Sequence, residues 1–485
     1  MSNPFKSLFK QTAVYGLSSI IGRFLNYLLV PLYTAIFTNP AEYGVVSELY
    51  AWVAFLIVIL TFGMETAFFR FFESSEDKKS IFKNTLWTVL IVNALFLVTI
   101  LLFHENFAAL MLFEDHSEYL VLLSFIVVLD ALSALPLAKL RQEQRAIRFS
   151  GIQLSSILVN IVLNLLFMLV FFNEDRPEEG VLFILIANLI ASAIKPILLF
   201  KDYSVLIEKP DKQVLKKIMV YAFPLVLAGF AGIINETLDR IMLKHILYDP
   251  TNPSSLEFAE GQVGIYSACY KLAMMVTIFI QAYRYAAEPF FFRQINNENR
   301  NNIYVKVMNI FVAIVGCFFL LVSINIDVFK YFIQNKVYWE GLSIVPVLLL
   351  ANVFFGIYIN QSIWYKLSGQ TKYGLYIAII GAVITIVGNY IFIPHYGFVA
   401  SAWVTLVVYT LQMLVSYIWG QIHYPIPYNI PRILSYLAMA LIIYLIFCLL
   451  PFENKIINLL LGNFLTMGYL TFIYFVERKS LKSSY

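Results

Sequence analysis

Between residues 12 and 476 the sequence keeps returning to apolar runs long enough to cross the roughly 30 Å hydrocarbon core of a bilayer, for which a helix needs about 20 residues. Fourteen are read: 12–37, 45–72, 84–103, 118–138, 149–172, 181–200, 218–244, 263–292, 307–323, 341–365, 373–393, 398–420, 433–451 and 457–476. Each is expected to be a helix, because an open strand edge in lipid leaves backbone N–H and C=O groups without partners. Composition agrees: 60% of the residues are hydrophobic and 13% charged, outside the usual range of soluble domains. The expected fold class is an all-α polytopic membrane protein with 14 transmembrane helices.

The net charge of +4 is small, so the placement of the cations carries the information. With the N-terminus inside, only Arg176, Lys330, Lys336 and Lys455 of the 34 lysines and arginines fall in outer loops. That bias predicts an even span count with both termini cytoplasmic. Lys6 and Lys10 precede the first run, but no small-residue cleavage site follows, so no cleavable signal is expected. No loop is long enough for a soluble domain. The longest outer one is read around "HILYDPTNPSSLEFAEGQ" (245–262).

Internal repetition organises the spans. Laying 44–72 on 264–292 without a gap matches Gly44 with Gly264, Ser47 with Ser267, Tyr50 with Tyr270, Ala67 with Ala287, Phe71 with Phe291 and Phe72 with Phe292. A weaker echo links "RQEQRAIRF" and the helix that follows to Asn164 with "KLSGQTKY" and the helix that follows to Asn389. The reading is two pseudo-symmetric six-helix lobes, residues 1–206 and 207–420, with two appended helices in 421–485, and a cavity between the lobes.

The patches "NPAEYGVVSELY", "FGMETAFFRFF", "NETLDRIMLK", "GQVGIYSACYKLA" and "HYGFVASAW" recur in order over about residues 1–420. In this the chain resembles the bacterial polysaccharide-biosynthesis flippases of the multidrug, oligosaccharidyl-lipid and polysaccharide exporter superfamily. It departs from them at Val399 and Ala400, where a second glycine is expected. The resemblance implies a two-lobed carrier that moves undecaprenyl-pyrophosphate-linked oligosaccharide to the outer leaflet of the bacterial inner membrane. The expected partners are that lipid and the surrounding membrane lipids, with no nucleic acid. A monomer is expected, with association with polysaccharide assembly proteins also open.

Ionised side chains within spans are costly, about 2.5–3.5 kcal/mol each near a helix centre on insertion scales, so each needs a partner, water or the bundle interior. Most of those here lie in spans 1, 2, 7 and 8. Arg23 sits about 17 Å from the inner end of its span, at 1.5 Å per residue, with Asn26 on the same face. Its guanidinium can hold a phosphate bidentately, or it can pair with Glu65 or Asp130. Glu236, Asp239 and Arg240 share a helical face. They either join helices, with Glu236 reaching Lys271, or bind Na⁺ or H⁺ for coupling. Arg284 and Glu288 are four apart, so they form either a salt bridge or, through Arg284, an inner cation that recruits substrate. Lys271 lies about 140° round the helix from Arg284, so on a straight helix only one faces a central cavity.

The remaining signals are bland. Gly374, Gly381 and Gly388 suit a close helix contact. Cys269, Cys317 and Cys448 lack disulfide or zinc spacing, and the histidines lack metal-ligand spacing. No phosphate-binding glycine loop or nucleophile elbow occurs. A catalytic role, a cofactor and a resident metal are therefore not expected. The alternatives are a cation-coupled multidrug exporter, a lipid II flippase, and, less favoured, an oligosaccharide polymerase or ligase, which should carry a long catalytic outer loop.

Overall fold

The computed structural model describes residues 21–22, 24–295, 297–450 and 454–482, and among them there is no β-strand. Among the described residues, thirteen helical segments are long and apolar enough to cross a membrane, matching the second to the fourteenth of the expected spans. Where the first was expected, Phe24–Ile36 is a shorter apolar helix; residues 12–20 and Arg23 lie outside the described residues. The chain divides into two compact units, Met1–Gly264 and Ile265–Tyr485.

The first unit holds α1 (Leu29–Ile36), α2 (Pro40–Thr61), α3 (Met64–Ser74), α4 (Lys78–Leu110), α5 (Ser117–Gln142), α6 (Ala146–Leu166), α7 (Pro177–Leu198), α8 (Lys212–Leu247) and the opening turns of α9 (Ser254–Arg293). Local chemistry sets the helix starts. Asn39 accepts from Ala41 N ahead of Pro40, Asp77 from Ser80 N, and Asp211 from Gln213 N and Val214 N. The expected continuous span 45–72 is broken between α2 and α3, where Phe62 and Gly63 both take left-handed backbone angles (φ 49° and 62°).

Within the bundle the polar groups find partners across helices. Ser156 donates to the Ala191 carbonyl, Asn93 to that of Leu60, Tyr33 to Asn164, and Asn188 to Tyr50. Apolar side chains such as Leu95, Val98 and Leu102 of α4 and Leu158 and Val162 of α6 are exposed. Lipid, not water, accommodates such faces.

Among the described glycines, the closest approach is at the crossing of α2 and α9. A Cβ on Gly44 would lie 1.9 Å from the carbonyl oxygen of Glu260, and a Cβ on Gly264 would lie 1.9 Å from that of Pro40. The two glycines matched by the repeat therefore sit reciprocally at one backbone-to-backbone contact.

The long outer loop expected at 245–262 is corrected: α8 ends at Leu247 and α9 begins at Ser254, leaving a turn of 248–253. Asp249 accepts from Thr251, and Asn252 from Ser254 N, which reverses the chain in few residues. The polar stretch Ser254–Gln262 is thus helical.

The second unit continues α9 and adds α10 (Arg300–Ile324), α11 (Val345–Gln361), α12 (Ile363–Leu367), α13 (Lys372–Tyr396), α14 (Phe398–His423), α15 (Ile430–Leu449) and α16 (Lys455–Lys482). Helices α11, α13 and α14 pack together; a Cβ on Gly388 would lie 3.0 Å from Val404, and one on Gly374 3.1 Å from Tyr365. The last two helices dock on α10. Tyr469 donates to the Ala313 carbonyl beside Gly316, Asn463 donates to Asn325, and Tyr436 donates to Glu477.

Candidate functional site

The buried charges of the first unit converge where α2, α8 and α9 meet. Lys244 is wholly buried, with its Nζ 3.1 Å from Glu48 Oε2, 3.0 Å from Glu260 Oε1 and 3.1 Å from the Leu112 carbonyl oxygen. The Phe113 ring lies under the ammonium at 3.4 Å, a favourable cation–π contact. Glu48, also wholly buried, takes the Trp52 indole N–H on its other oxygen at 3.3 Å. One turn earlier on α8, Arg240 ion-pairs with Asp239 at 3.0 Å, both buried, and donates to the Glu236 carbonyl. The Glu236 side chain is exposed, whereas Asp239 and Arg240 are buried.

Beside this triad lies a cavity of 410 Å³, at the end of the unit where the turns near 39, 112, 175 and 250 gather. Glu42, Glu114, Asp115, Glu178, Glu257 and Glu260 line it, with His116 but no lysine or arginine. Leu112 and Phe113, which hold Lys244, form part of its wall.

Cations dominate the other end of the unit. Asp202, buried in the 199–208 connection, takes Lys139 at 2.9 Å and Arg148 at 3.2 Å. Glu65 pairs with Arg141 at 2.5 Å, and Arg70 stacks over Tyr221. Glu208 is bound by Lys79 and Lys83, which hold its carboxyl below the ordinary carboxylate range. Midway, Asp130 pairs with Lys195 at 2.8 Å.

In the second unit Glu288 is shared by Arg284 (2.9 Å) and Lys366 (2.5 Å). Arg284 remains 53% exposed, so its guanidinium is open to a further anion. Lys271 is half-buried on α9. Asn26 is exposed beside the buried Tyr27; Arg23 lies outside the described residues.

Glu65, Asp130, Asp239, Arg240 and Glu288 are thus all in ion pairs: Glu288 with Arg284, as the four-residue spacing allowed, and Asp239 with Arg240, while Arg141, Lys195 and Lys366 are partners of Glu65, Asp130 and Glu288 that the spacing did not name. Glu260 was missed because it was read as loop. The available signal was the helix start at Asn252-Pro253-Ser254, from which Glu260 follows on the second turn.

The matching family and structures fit this architecture. The profile of the family described as "Polysaccharide biosynthesis protein" matches residues 8–295. An Lsg locus protein of Haemophilus influenzae is 21% identical over 84% of this chain and 99% of its own. A structure of the lipid II flippase MurJ in an inward closed conformation superposes with TM-score 0.72 at 15% identity, covering 95% of this chain and 98% of that one. An inward-facing multidrug transporter of the MATE family gives TM-score 0.64 at 17% identity over 82% and 93%. Both structures share the fold of this chain, a multi-pass helical membrane architecture. By the span of the family match, the chain belongs to the polysaccharide biosynthesis protein family.

Proposed function

We propose that the chain is a flippase that carries undecaprenyl-pyrophosphate-linked oligosaccharide from the cytoplasmic to the outer leaflet of the bacterial inner membrane, for surface polysaccharide synthesis. Membership of a polysaccharide-biosynthesis family carries this reading, and the fold shared with a lipid II flippase supports it. Sugars and pyrophosphate are too polar to cross hydrocarbon unaided, whereas the prenyl chain can stay in lipid throughout. Alternating access then suffices, and no covalent bond changes, so the chain acts as a transporter and not as an enzyme.

Arg23, Asn26, Lys271 and Arg284 are the residues we assign to the pyrophosphate and its sugars. The exposure of Arg284 beside Lys366 favours it as the cytoplasmic recruiting cation. Coupling uses Na⁺ or H⁺. Both termini are cytoplasmic in this reading; the cations near Lys79, Lys139, Arg141 and Arg148 then face the cytoplasm, and the acidic cavity faces outward.

Native mass spectrometry of the purified chain tests substrate class directly. Retention of undecaprenyl-pyrophosphate-linked oligosaccharide, weakened by Arg284→Ala, is expected. Retention of amphipathic cations with no lipid-linked sugar would replace this reading with that of a multidrug exporter.

A further inference from the structure

The triad around Lys244 carries a charge imbalance that points to a ligand, and the ligand is a proton. Three oxygens lie 3.0–3.1 Å from Lys244 Nζ, the Leu112 carbonyl as a hydrogen-bond acceptor and Glu48 and Glu260 as ion-pair partners, and an aromatic face lies against it. Glu48 accepts from Trp52 on Oε1 and faces Lys244 at 3.1 Å through Oε2, an ion pair without a hydrogen bond, and that pairing favours its carboxylate form. With Glu260 also ionised, the buried group would hold one cation against two anions. An uncompensated charge is expensive in such surroundings. One proton makes the triad neutral.

Geometry selects where that proton resides. Glu260 reaches Lys244 through Oε1 but is also a wall residue of the 410 Å³ cavity, so water there can deliver a proton to it. Glu48 lies behind it, fully buried. The charged and titratable groups facing Glu260 from each neighbouring element reinforce the demand. From α2 come Glu42 and Glu48, and from α8 Lys244, with His245 close to Glu48. The 114–116 turn brings Glu114, Asp115 and His116, α5 brings Tyr119, α7 brings Glu178, and α9 itself brings Glu257. Lys244 is the sole lysine or arginine among these groups, and Glu48 already shares it.

We propose that Glu260 is a proton-binding site reached from the outer face, and that its proton is exchanged during transport. The binding site stands on the triad and its cavity alone. Its orientation and its use in transport rest on the flippase reading. Position reinforces the coupling: the Glu260 carbonyl is the atom against which Gly44 packs, so the carboxyl sits on the α2–α9 crossing itself.

Infrared difference spectroscopy of the full chain in nanodiscs, stepped in pH, tests the site. A protonated-carboxyl band should grow as pH falls and vanish in Glu260→Gln, which keeps the size of the side chain and mimics its neutral form. Glu48→Gln should retain the band but require about tenfold more acid to develop it, because one competing anion is gone. A band unchanged in Glu260→Gln overturns the site, as does a band that Glu48→Gln leaves at the wild-type pH. In vesicles, proton uptake from the outer side should accompany oligosaccharide movement and disappear in Glu260→Gln. Wild-type uptake in that variant overturns the coupling role. Absence of any oligosaccharide movement in wild type, with the infrared band intact, sinks the flippase reading and leaves the proton site standing.

Discussion

Replacing Gly44 by alanine places a methyl group 1.9 Å from the backbone oxygen of Glu260, where real Cβ contacts do not fall below 3.0 Å. Helices α2 and α9 must therefore part by about 1 Å, and no rotamer change relieves a clash with backbone. Overpacking of this kind costs about 1–3 kcal/mol, and a backbone clash belongs at the upper end. Alanine recovers up to about 1 kcal/mol of helix propensity, which leaves a net loss of roughly 2 kcal/mol, or about 2 °C in apparent Tm for a chain of this length. Thermal unfolding in detergent, followed by reaction of a thiol dye with the buried Cys269, measures it. Gly151→Ala, with nothing within 4 Å of its added carbon, is the control and should be neutral or slightly stabilising. Gly264→Ala should match Gly44→Ala, because it meets the Pro40 oxygen at the same distance. The double variant should cost less than the sum of the two, since helices already parted for one methyl admit the other. A Gly44→Ala protein as stable as wild type would refute the close crossing.

Three further outcomes follow from the ion pairs. Lys244→Met removes the cation from two carboxylates and should cost about 3–5 kcal/mol in thermal unfolding, with part of the loss recovered when Glu48→Gln is added. Asp202→Asn weakens two charge-assisted bonds to Lys139 and Arg148 and should lower stability by about 1.5–3 kcal/mol, read by the same melts. Glu208 has its carboxyl held low by Lys79 and Lys83. Its tie to α4 is therefore fully present above the ordinary carboxylate pKa and is lost as pH falls through the lowered value. The Trp87 indole donates to the Glu208 carbonyl, so Trp87-dependent fluorescence should change only in that acidic range, and Glu208→Gln should abolish the change.

Spans two to fourteen were legible because crossing hydrocarbon is a requirement on length and polarity, both of which lie along one dimension of the chain. Hydropathy fails where a helix leaves the membrane. Ser254–Gln262 reads as loop because it is polar, although it continues the helix, and that error hid Glu260. The break at Phe62–Gly63 was equally invisible, since both flanks are apolar. Gly44 and Gly264 were matched by pattern alone, and both sit at the α2–α9 contact. Lys244 and Glu48 were legible as charges in apolar spans, but not as partners, because pairing depends on how α2 and α8 are rotated against each other. For the same reason Glu65 was assigned Arg23 as a candidate partner, whereas the structure brings it Arg141 from the end of α5. Lys366, one residue past the end of the expected tenth span, escaped notice until the fold brought it to Glu288.

Transport itself is the most direct test. Proteoliposomes loaded on one leaflet with fluorescent undecaprenyl-pyrophosphate-linked oligosaccharide, and probed with a membrane-impermeant quencher, report movement between leaflets. Movement that requires the protein and is absent for an organic cation dye is the predicted result. Dye efflux with the sugar-bearing lipid left in its original leaflet would contradict the account.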